Sequence, residues 1–239
     1  MTPNSRHARL DHHFGPASLR KTLTVALAST LLTLAFLHLG GEAVEGDTGR
    51  FDQWWLVRAQ ALRAAHPGVV VVLRDLTAFG STTVLVLVTV LAVGWLLVID
   101  QRRTALLVGI SVVSGTTLVS AFKLFFGRLR PDATAADSIV AGLSFPSGHA
   151  SMSAIVFLTL GALIATQRRR AAERAFILAA AALLTLLVGI SRALLGVHWV
   201  TDVVGGWAFG TGWALLWLLL YGVWRARGGK GAASADDRA

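Results

Sequence analysis

Six long apolar runs, separated by shorter polar segments, dominate the pattern along the chain. They cover residues 22–39, 81–99, 104–122, 149–166, 176–190 and 200–224. Crossing a bilayer as a helix takes about 20 mostly apolar residues, close to the length of these runs. The first run exceeds the usual apolar core of a signal peptide, which favours a retained membrane helix. The pattern therefore predicts an all-α, polytopic membrane helix bundle with six transmembrane helices.

The polar segments set the expected domain limits. A polar tail at residues 1–21 precedes the membrane domain at residues 22–225, and a Gly/Ala-rich tail, predicted to be flexible, follows at residues 226–239. The fifth run is the shortest, so its ends are the least well defined. In the sixth run, Gly206 and Gly210 have the spacing that lets membrane helices approach closely.

Residues 40–80 form a mixed segment between the first two runs. Its larger apolar residues fall on one side of a short helix: Phe51, Trp54, Trp55 and Leu62. Arg58 and Arg63 would then point toward water. This pattern fits a helix lying in the bilayer interface, where tryptophan is favoured. An ordinary helix packed on the other segments fits equally well.

Composition agrees with a membrane protein. Of 239 residues, 54% are hydrophobic and 15% are charged, and the mean hydropathy is +0.64. There is no cysteine, which excludes disulfides and thiolate metal sites or nucleophiles. A net charge of +9 could indicate nucleic-acid binding. In a membrane protein, loop charge that sets the topology is the better explanation, so no nucleic-acid partner is expected.

The basic excess lies entirely on one side of the predicted bundle. The two tails with residues 100–103 and 167–174 carry 14 basic and 5 acidic residues. The alternate segments, residues 40–80, 123–148 and 191–202, carry 8 of each. The positive-inside rule then places both termini in the cytoplasm and the alternate segments outside.

Three polar islands lie in those outer segments, at residues 123–131, 145–149 and 191–202. Basic and imidazole side chains are expensive to place beside a bilayer core, so they usually have a function. Because topology brings the islands to the same face, they are predicted to form one phosphate-handling site.

The islands supply groups that suit an anion. Lys123, Arg130 and Arg192 would bind a dianionic phosphate, the arginines through two oxygens at once. Any one of them alone could equally snorkel toward lipid headgroups. Ser147 and Gly148 precede the fourth run, where amides at a helix N-terminus can cradle phosphate. Taken alone, they could also be a simple helix cap.

His198 and Asp202 are four residues apart and would be neighbours on one helical face. A carboxylate there can hold one imidazole nitrogen and leave the other free to attack, with His149 as a second catalytic histidine. A structural role is the alternative for a lone interfacial histidine. Metal binding by the two histidines and Asp202 is disfavoured, because three nearby cations would repel a divalent ion. We therefore expect neither a metal nor a cofactor.

The three islands resemble the three signature motifs of the type 2 phosphatidic acid phosphatase (PAP2) family. The matching residues, all in the family's order, are Lys123, Arg130 and Pro131; Pro146, Ser147, Gly148 and His149; and Ser191, Arg192, His198 and Asp202. The resemblance covers about a third of the chain and implies a six-helix, metal-independent integral membrane phosphatase.

The resemblance also implies a role for each site residue. His198 would attack phosphorus and form a phosphohistidine, with Asp202 orienting it. His149 would protonate the leaving group and then activate water. The phosphoryl oxygens would be bound by Lys123, Arg130, Ser147, Gly148 and Arg192.

The leading hypothesis is a lipid phosphatase of the bacterial cytoplasmic membrane with its site on the outer face. Phosphatidate, phosphatidylglycerophosphate, diacylglycerol pyrophosphate and undecaprenyl pyrophosphate are all candidate substrates. Two alternatives stay open: a phosphotransferase that passes the phosphate to another lipid, and a non-catalytic lipid or anion transporter. The transporter has less support, because binding alone does not need the two histidines.

Overall fold

The computed structural model describes residues 16–131 and 142–236 of the chain. Its helices, numbered in chain order, are α1 (Pro16–Glu45), α2 (Gly49–Ala65), α3 (Pro67–Ala78), α4 (Thr82–Val98), α5 (Arg102–Phe126), α6 (Gly148–Thr166), α7 (Ala171–Leu194) and α8 (Val200–Asp236). A π-helical segment, Ala154–Leu158, lies within α6. Most of the predicted N-terminal tail, residues 1–15, lies outside the described residues.

Six helical segments of the described chain are long and apolar enough to cross a membrane. They are Leu19–Glu45, Pro67–Val98, Arg102–Phe126, Gly148–Thr166, Ala171–Leu194 and Val200–Arg225. The predicted all-α bundle with six transmembrane helices is therefore confirmed. The fifth segment is longer at both ends than the apolar run that predicted it, because helices continue into the polar flanks.

The second membrane segment is composed of two helices. The sequence predicts a crossing at residues 81–99 only, but α3 precedes it and is apolar as well. The two helices are separated by a short break in which Ser81 adopts an extended conformation, and its hydroxyl accepts a hydrogen bond from Val84 N at 3.4 Å. Serine is a favoured N-cap, so a new helix starts there.

Both predicted domain limits fall inside helices. α1 begins at Pro16, before the limit expected at residue 22. α8 continues from the membrane to Asp236, through most of the segment predicted as a flexible tail. Extending an existing helix costs little compared with nucleating one. A change from apolar to polar composition therefore did not end either helix.

A cluster of phenylalanines fills the core beneath the second polar island. Phe145 is fully buried, and its ring stacks on Phe36 of α1 at a centroid distance of 5.5 Å. Phe126, at the end of α5, meets Phe145 edge-on at 4.9 Å. Aromatic pairs of this kind add to the burial of apolar area. The cluster thus fixes the residues that lead into α6 against α1 and α5.

Close contact between α6 and α8 depends on glycine. A β-carbon on Gly206 would lie 2.9 Å from the carbonyl oxygen of Ser147, and one on Gly210 would collide with the carbonyl oxygen of Ser151. No side chain fits at these distances, so the backbones approach directly. The spacing noted in the sequence therefore marks the interface that holds the start of α6.

Candidate active site

Four helix ends meet at one end of the bundle. Lys123 lies in the last turn of α5, His149 in the first turn of α6, Arg192 in the last turn of α7 and Asp202 in the first turn of α8. Because successive membrane helices run in opposite directions, these ends share one face of the bundle. Electrostatic interactions link His149 with its neighbours in the cluster, Arg192, His198, Arg130 and Lys123.

The first island turns sharply after α5. Gly127 has a φ of 62°, a left-handed conformation that glycine adopts without steric cost. The chain then pairs with the segment before α6, since Ser144 N donates to the carbonyl oxygen of Arg128 at 2.7 Å. Lys123 is 7% exposed, and its Nζ donates to the carbonyl oxygen of Leu143 at 2.7 Å. Arg130 Nε lies 3.5 Å from the same oxygen.

The second island forms the start of α6. Ser147 is the N-cap residue, with an extended backbone, and its amide donates to the carbonyl oxygen of Asp202 at 3.0 Å. The Ser147 hydroxyl is buried, yet it has no hydrogen-bond partner among the described residues. Gly148 and His149 follow in the first turn, where free amides and the helix dipole favour an anion.

Arg192 is held between α7 and α3. Its Nη1 lies 3.4 Å from the Thr77 hydroxyl, whereas its buried Nε has no partner in the described part of the chain. α3 reaches the site because Gly80 packs tightly: a β-carbon there would collide with Val188 and lie 3.4 Å from His149 Cδ2. Thr77 and Gly80 therefore line the site.

His198 and Asp202 are in contact, but not on one helical face as the sequence predicted. His198 precedes α8, in the turn that follows α7. Asp202 is completely buried, and its Oδ2 accepts from Trp199 N at 2.9 Å and lies 3.3 Å from His198 Nδ1. The aspartate therefore caps α8 by the reach-back of a capping box and orients the imidazole with the same oxygen.

Burial lowers the pKa values of the two titratable site residues that lie outside the membrane-spanning segments. Burial lowers the pKa of His198 to about 4, against the opposing hydrogen bond and charge of Asp202, while Lys123 and Arg192 lower it further. Burial also lowers the pKa of Arg130, with Asp202 acting in the opposite direction. His198 is therefore neutral at physiological pH, with Nε2 free to act as a nucleophile if Nδ1 carries the proton toward Asp202.

The structure brings all eight predicted site residues together, and it adds two that the sequence reasoning missed. Arg128 Nη1 donates to Asp202 Oδ1 at 2.7 Å, and Arg128 Nη2 donates to Asp52 Oδ2 at 2.6 Å. One sequence signal was available for Arg128. In an extended segment, residues two apart face the same way, so Arg128 shares the side of Arg130. No pattern pairs Asp52 with a residue so distant in sequence.

α2 has features of both interpretations, since it buries Asp52 and Ala59 against the bundle and exposes its aromatic residues. Phe51, Trp54 and Trp55 are 51%, 47% and 38% exposed, on the side away from the bundle. Arg58 is exposed, and its guanidinium lies over the Trp54 ring. Arg63, however, does not point into water, because its Nη1 donates to the carbonyl oxygen of Leu194. The carbonyls at a helix C-terminus lack partners within the helix and attract such a cation.

Within the described residues, 16–131 and 142–236, no group of three or more His, Cys, Asp or Glu side chains is placed to hold a metal ion. The site is instead rich in positive charge near two imidazoles. Such an arrangement can bind a phosphoryl group, stabilise charge on its oxygens and supply a nucleophile and a proton donor.

Comparisons with known proteins agree with this chemistry. The family model for the PAP2 superfamily matches residues 104–226. Phosphatidylglycerophosphatase B of Bacillus subtilis is 28% identical over 163 residues, which are 68% of this chain and 78% of the relative. Decaprenylphosphoryl-5-phosphoribose phosphatase of Mycolicibacterium smegmatis is 32% identical over 163 residues, 67% of this chain and 83% of the relative.

A solved structure has the same fold. The crystal structure of a transmembrane PAP2 type phosphatidylglycerolphosphate phosphatase from Bacillus subtilis matches with a TM-score of 0.71 at 26% identity. The match covers 79% of this chain and 93% of the other. It extends well beyond the three islands to most of the helix bundle.

Proposed function

The chain belongs to the PAP2 superfamily and is a membrane phosphatase, and we propose that it hydrolyses phosphate monoester or pyrophosphate headgroups of lipids through a phosphohistidine intermediate. One observation carries this proposal. The Ser147 hydroxyl and Arg192 Nε are both buried without a partner among the described residues, in a cluster with two further cations and two histidines. Buried polar groups are nearly always satisfied, so both groups are available to donate to an anionic substrate.

In the first step, His198 Nε2 attacks phosphorus, a P–N bond forms and the bond to the lipid oxygen breaks. Asp202 accepts a hydrogen bond from Nδ1–H of His198 and so stabilises the positive charge that develops on the ring. His149 gives its proton to the departing oxygen. In the second step, His149 takes a proton from water, the water oxygen bonds to phosphorus and the P–N bond breaks, which releases phosphate.

The remaining groups hold the phosphoryl oxygens during both steps. Lys123, Arg130 and Arg192 supply positive charge, and Ser147 and Gly148 supply donors at the start of α6. Such fixed donors stabilise the transition state without reorganising. In this chemistry the three cationic side chains stabilise the negative charge on the phosphoryl oxygens, a task that a metal ion performs in other phosphatases.

The substrate class follows from where the site lies. The helix ends that form it are also the ends of candidate membrane segments, where lipid headgroups would lie. The two named relatives act on phosphatidylglycerophosphate and on decaprenylphosphoryl-5-phosphoribose, which share a phosphate on a membrane lipid. The loop charges support a site on the outer face of the bacterial cytoplasmic membrane, with both termini inside.

Phosphate release from a panel of lipid phosphates tests the proposal. We expect purified protein to release phosphate from at least one of phosphatidate, phosphatidylglycerophosphate and undecaprenyl pyrophosphate. His198→Ala should lose at least about 10³-fold in kcat, whereas the exposed His66→Ala should keep its activity. Full activity in His198→Ala would overturn the mechanism. Transfer of label to an acceptor lipid instead of water would show a phosphotransferase.

A further inference from the structure

A chain of charged hydrogen bonds connects α2 to the candidate nucleophile. Asp52 on α2 is 1% exposed and accepts Arg128 Nη2 at 2.6 Å. The other guanidinium nitrogen, Nη1, donates to Asp202 Oδ1 at 2.7 Å. Both carboxylate side chains are fully buried, and the Arg128 side chain is 11% exposed. Arg128 therefore bridges two buried carboxylates.

Thr201 locks this bridge in place. Its hydroxyl donates to Asp52 Oδ2 at 2.6 Å and accepts from Arg128 Nη1 at 2.7 Å. Its amide donates to Asp52 Oδ1 at 3.0 Å. Both oxygens of Asp52 are thus satisfied, and the first turn of α8 is tied to α2. Networks in which every polar group has a partner fix geometry more firmly than single bonds.

The bridge assigns different tasks to the two oxygens of Asp202. Arg128 holds Oδ1, which leaves Oδ2 facing His198 Nδ1 and Trp199 N. If Arg128 lost Asp52, its guanidinium could rotate away or draw Asp202 toward itself. In either case the carboxylate would no longer present Oδ2 squarely to the imidazole.

α2 is fixed at its other end as well. Arg63 donates to the carbonyl oxygen of Leu194, and its guanidinium packs against the turn at Gly196. That turn has a positive φ of 72° and leads directly to His198. Asp52 and Arg63 therefore hold α2 against both sides of the segment that carries the candidate nucleophile. Asp52 lies outside residues 104–226, which the family model matches.

We propose that Asp52 is a positioning residue for the phosphatase reaction: it holds Arg128, Arg128 fixes Asp202, and Asp202 orients His198. The inference rests on the proposed function of His198. It gives α2 a part in the reaction, in addition to any contact that its aromatic side makes with lipid. Lys123, Arg130 and Arg192 are not part of this chain of bonds, so phosphate binding should not depend on it.

A double-mutant cycle tests the proposal. Asp52→Asn should lower kcat about 10- to 100-fold, as loss of an outer partner does at other active sites, with KM nearly unchanged. In an Asp202→Asn background, the same substitution should change kcat by less than about 3-fold, because the residue it acts through is already lost. Asp47→Asn, in the exposed turn before α2, is the matched control and should have no effect.

The outcomes separate positioning from simple stability. A purely structural Asp52 would lower kcat by the same factor in both backgrounds, which would overturn the proposal, as would an unchanged kcat. If Asp52→Asn does not fold, Asp52→Glu keeps the charge but displaces the carboxylate by one methylene, and the same cycle with Asp202→Asn decides. An active His198→Ala would instead refute the proposed function, so the two failures are distinguishable.

Discussion

At the scale of single residues, the arginines of the site are not equivalent. Arg128 donates to two carboxylates through Nη1 and Nη2, whereas Arg192 has a buried Nε without a partner in the described chain. The charge of Arg128 is therefore used in ion pairs within the protein, whereas Arg192 retains a hydrogen-bond donor for a ligand. The planar guanidinium can present two donors to a phosphoryl group, which a lysine ammonium cannot do in the same geometry.

Arg192→Lys should therefore impair catalysis although the charge is kept. We expect kcat/KM to fall about 10²-fold, the usual effect of removing one donor from a transition-state site. Arg169→Lys, in the exposed turn before α7, serves as the control. Wild-type kinetics in Arg192→Lys would show that only its charge matters.

The buried environment of His198 leads to a prediction about how activity depends on pH. Because burial lowers the pKa of His198 to about 4, the ring stays neutral well below the ordinary imidazole value. Protonation removes the nucleophile, so kcat/KM, which reports the free enzyme, should lose the contribution of His198 only as the pH falls toward about 4. A loss of kcat/KM centred near 6.5 that depends on His198 would contradict this assignment.

Stability should respond to the same group in the same direction. The unfolded chain takes up the proton near pH 6.5, whereas the folded chain resists protonation until about pH 4. This contribution to folding is complete above pH 6.5 and decreases as the pH falls between these values. Thermal unfolding in detergent measured across this range separates a loss of fold from a loss of nucleophile.

At the scale of elements, the α6–α8 contact is the most sensitive feature of the site. Gly210→Ala should destabilise the protein by about 1–3 kcal/mol, because the added methyl collides with the Ser151 carbonyl and forces the helices apart. Gly222→Ala, on the same helix, adds its methyl to open space and should be neutral or slightly stabilising. Thermal unfolding of both variants checks this, and equal shifts would show that close approach is unimportant.

Some elements could be predicted from the sequence and others could not. The six spans follow from apolar length, which depends on bilayer thickness alone. The division of the second span into α3 and α4, and the continuation of α8 past Arg225, depend on local capping and on helix propagation, which hydropathy does not record. The contact between His198 and Asp202 was predicted, but for the wrong reason, since the histidine precedes the helix.

At the scale of the whole molecule, the loop charges predict that the site faces outward. The chain has no cysteine, so single-cysteine variants give a clean test. In intact bacterial cells, a membrane-impermeant maleimide should label Asp47→Cys, near the site, and leave Gln167→Cys, at the opposite end, unlabelled. Lysed cells should label both, and the reverse pattern in intact cells would place the site inside.

The site itself shows where sequence reasoning stops. Residues of the three islands could be assembled because the bilayer forces alternate helix ends to one face. Asp52 could not be added, because its partner Arg128 is 76 residues away and only the packed structure joins them. A buried charge pair has no periodicity in sequence, whereas a membrane helix does.

Direct detection of phosphate on His198 is the most decisive measurement. Purified protein would be mixed with a ³²P-labelled lipid phosphate on which it is active, and quenched in alkali within a single turnover. Phosphohistidine should then be found by peptide mapping at His198, and not in His198→Ala. Normal turnover without label on His198, or label on another residue, would contradict the mechanism.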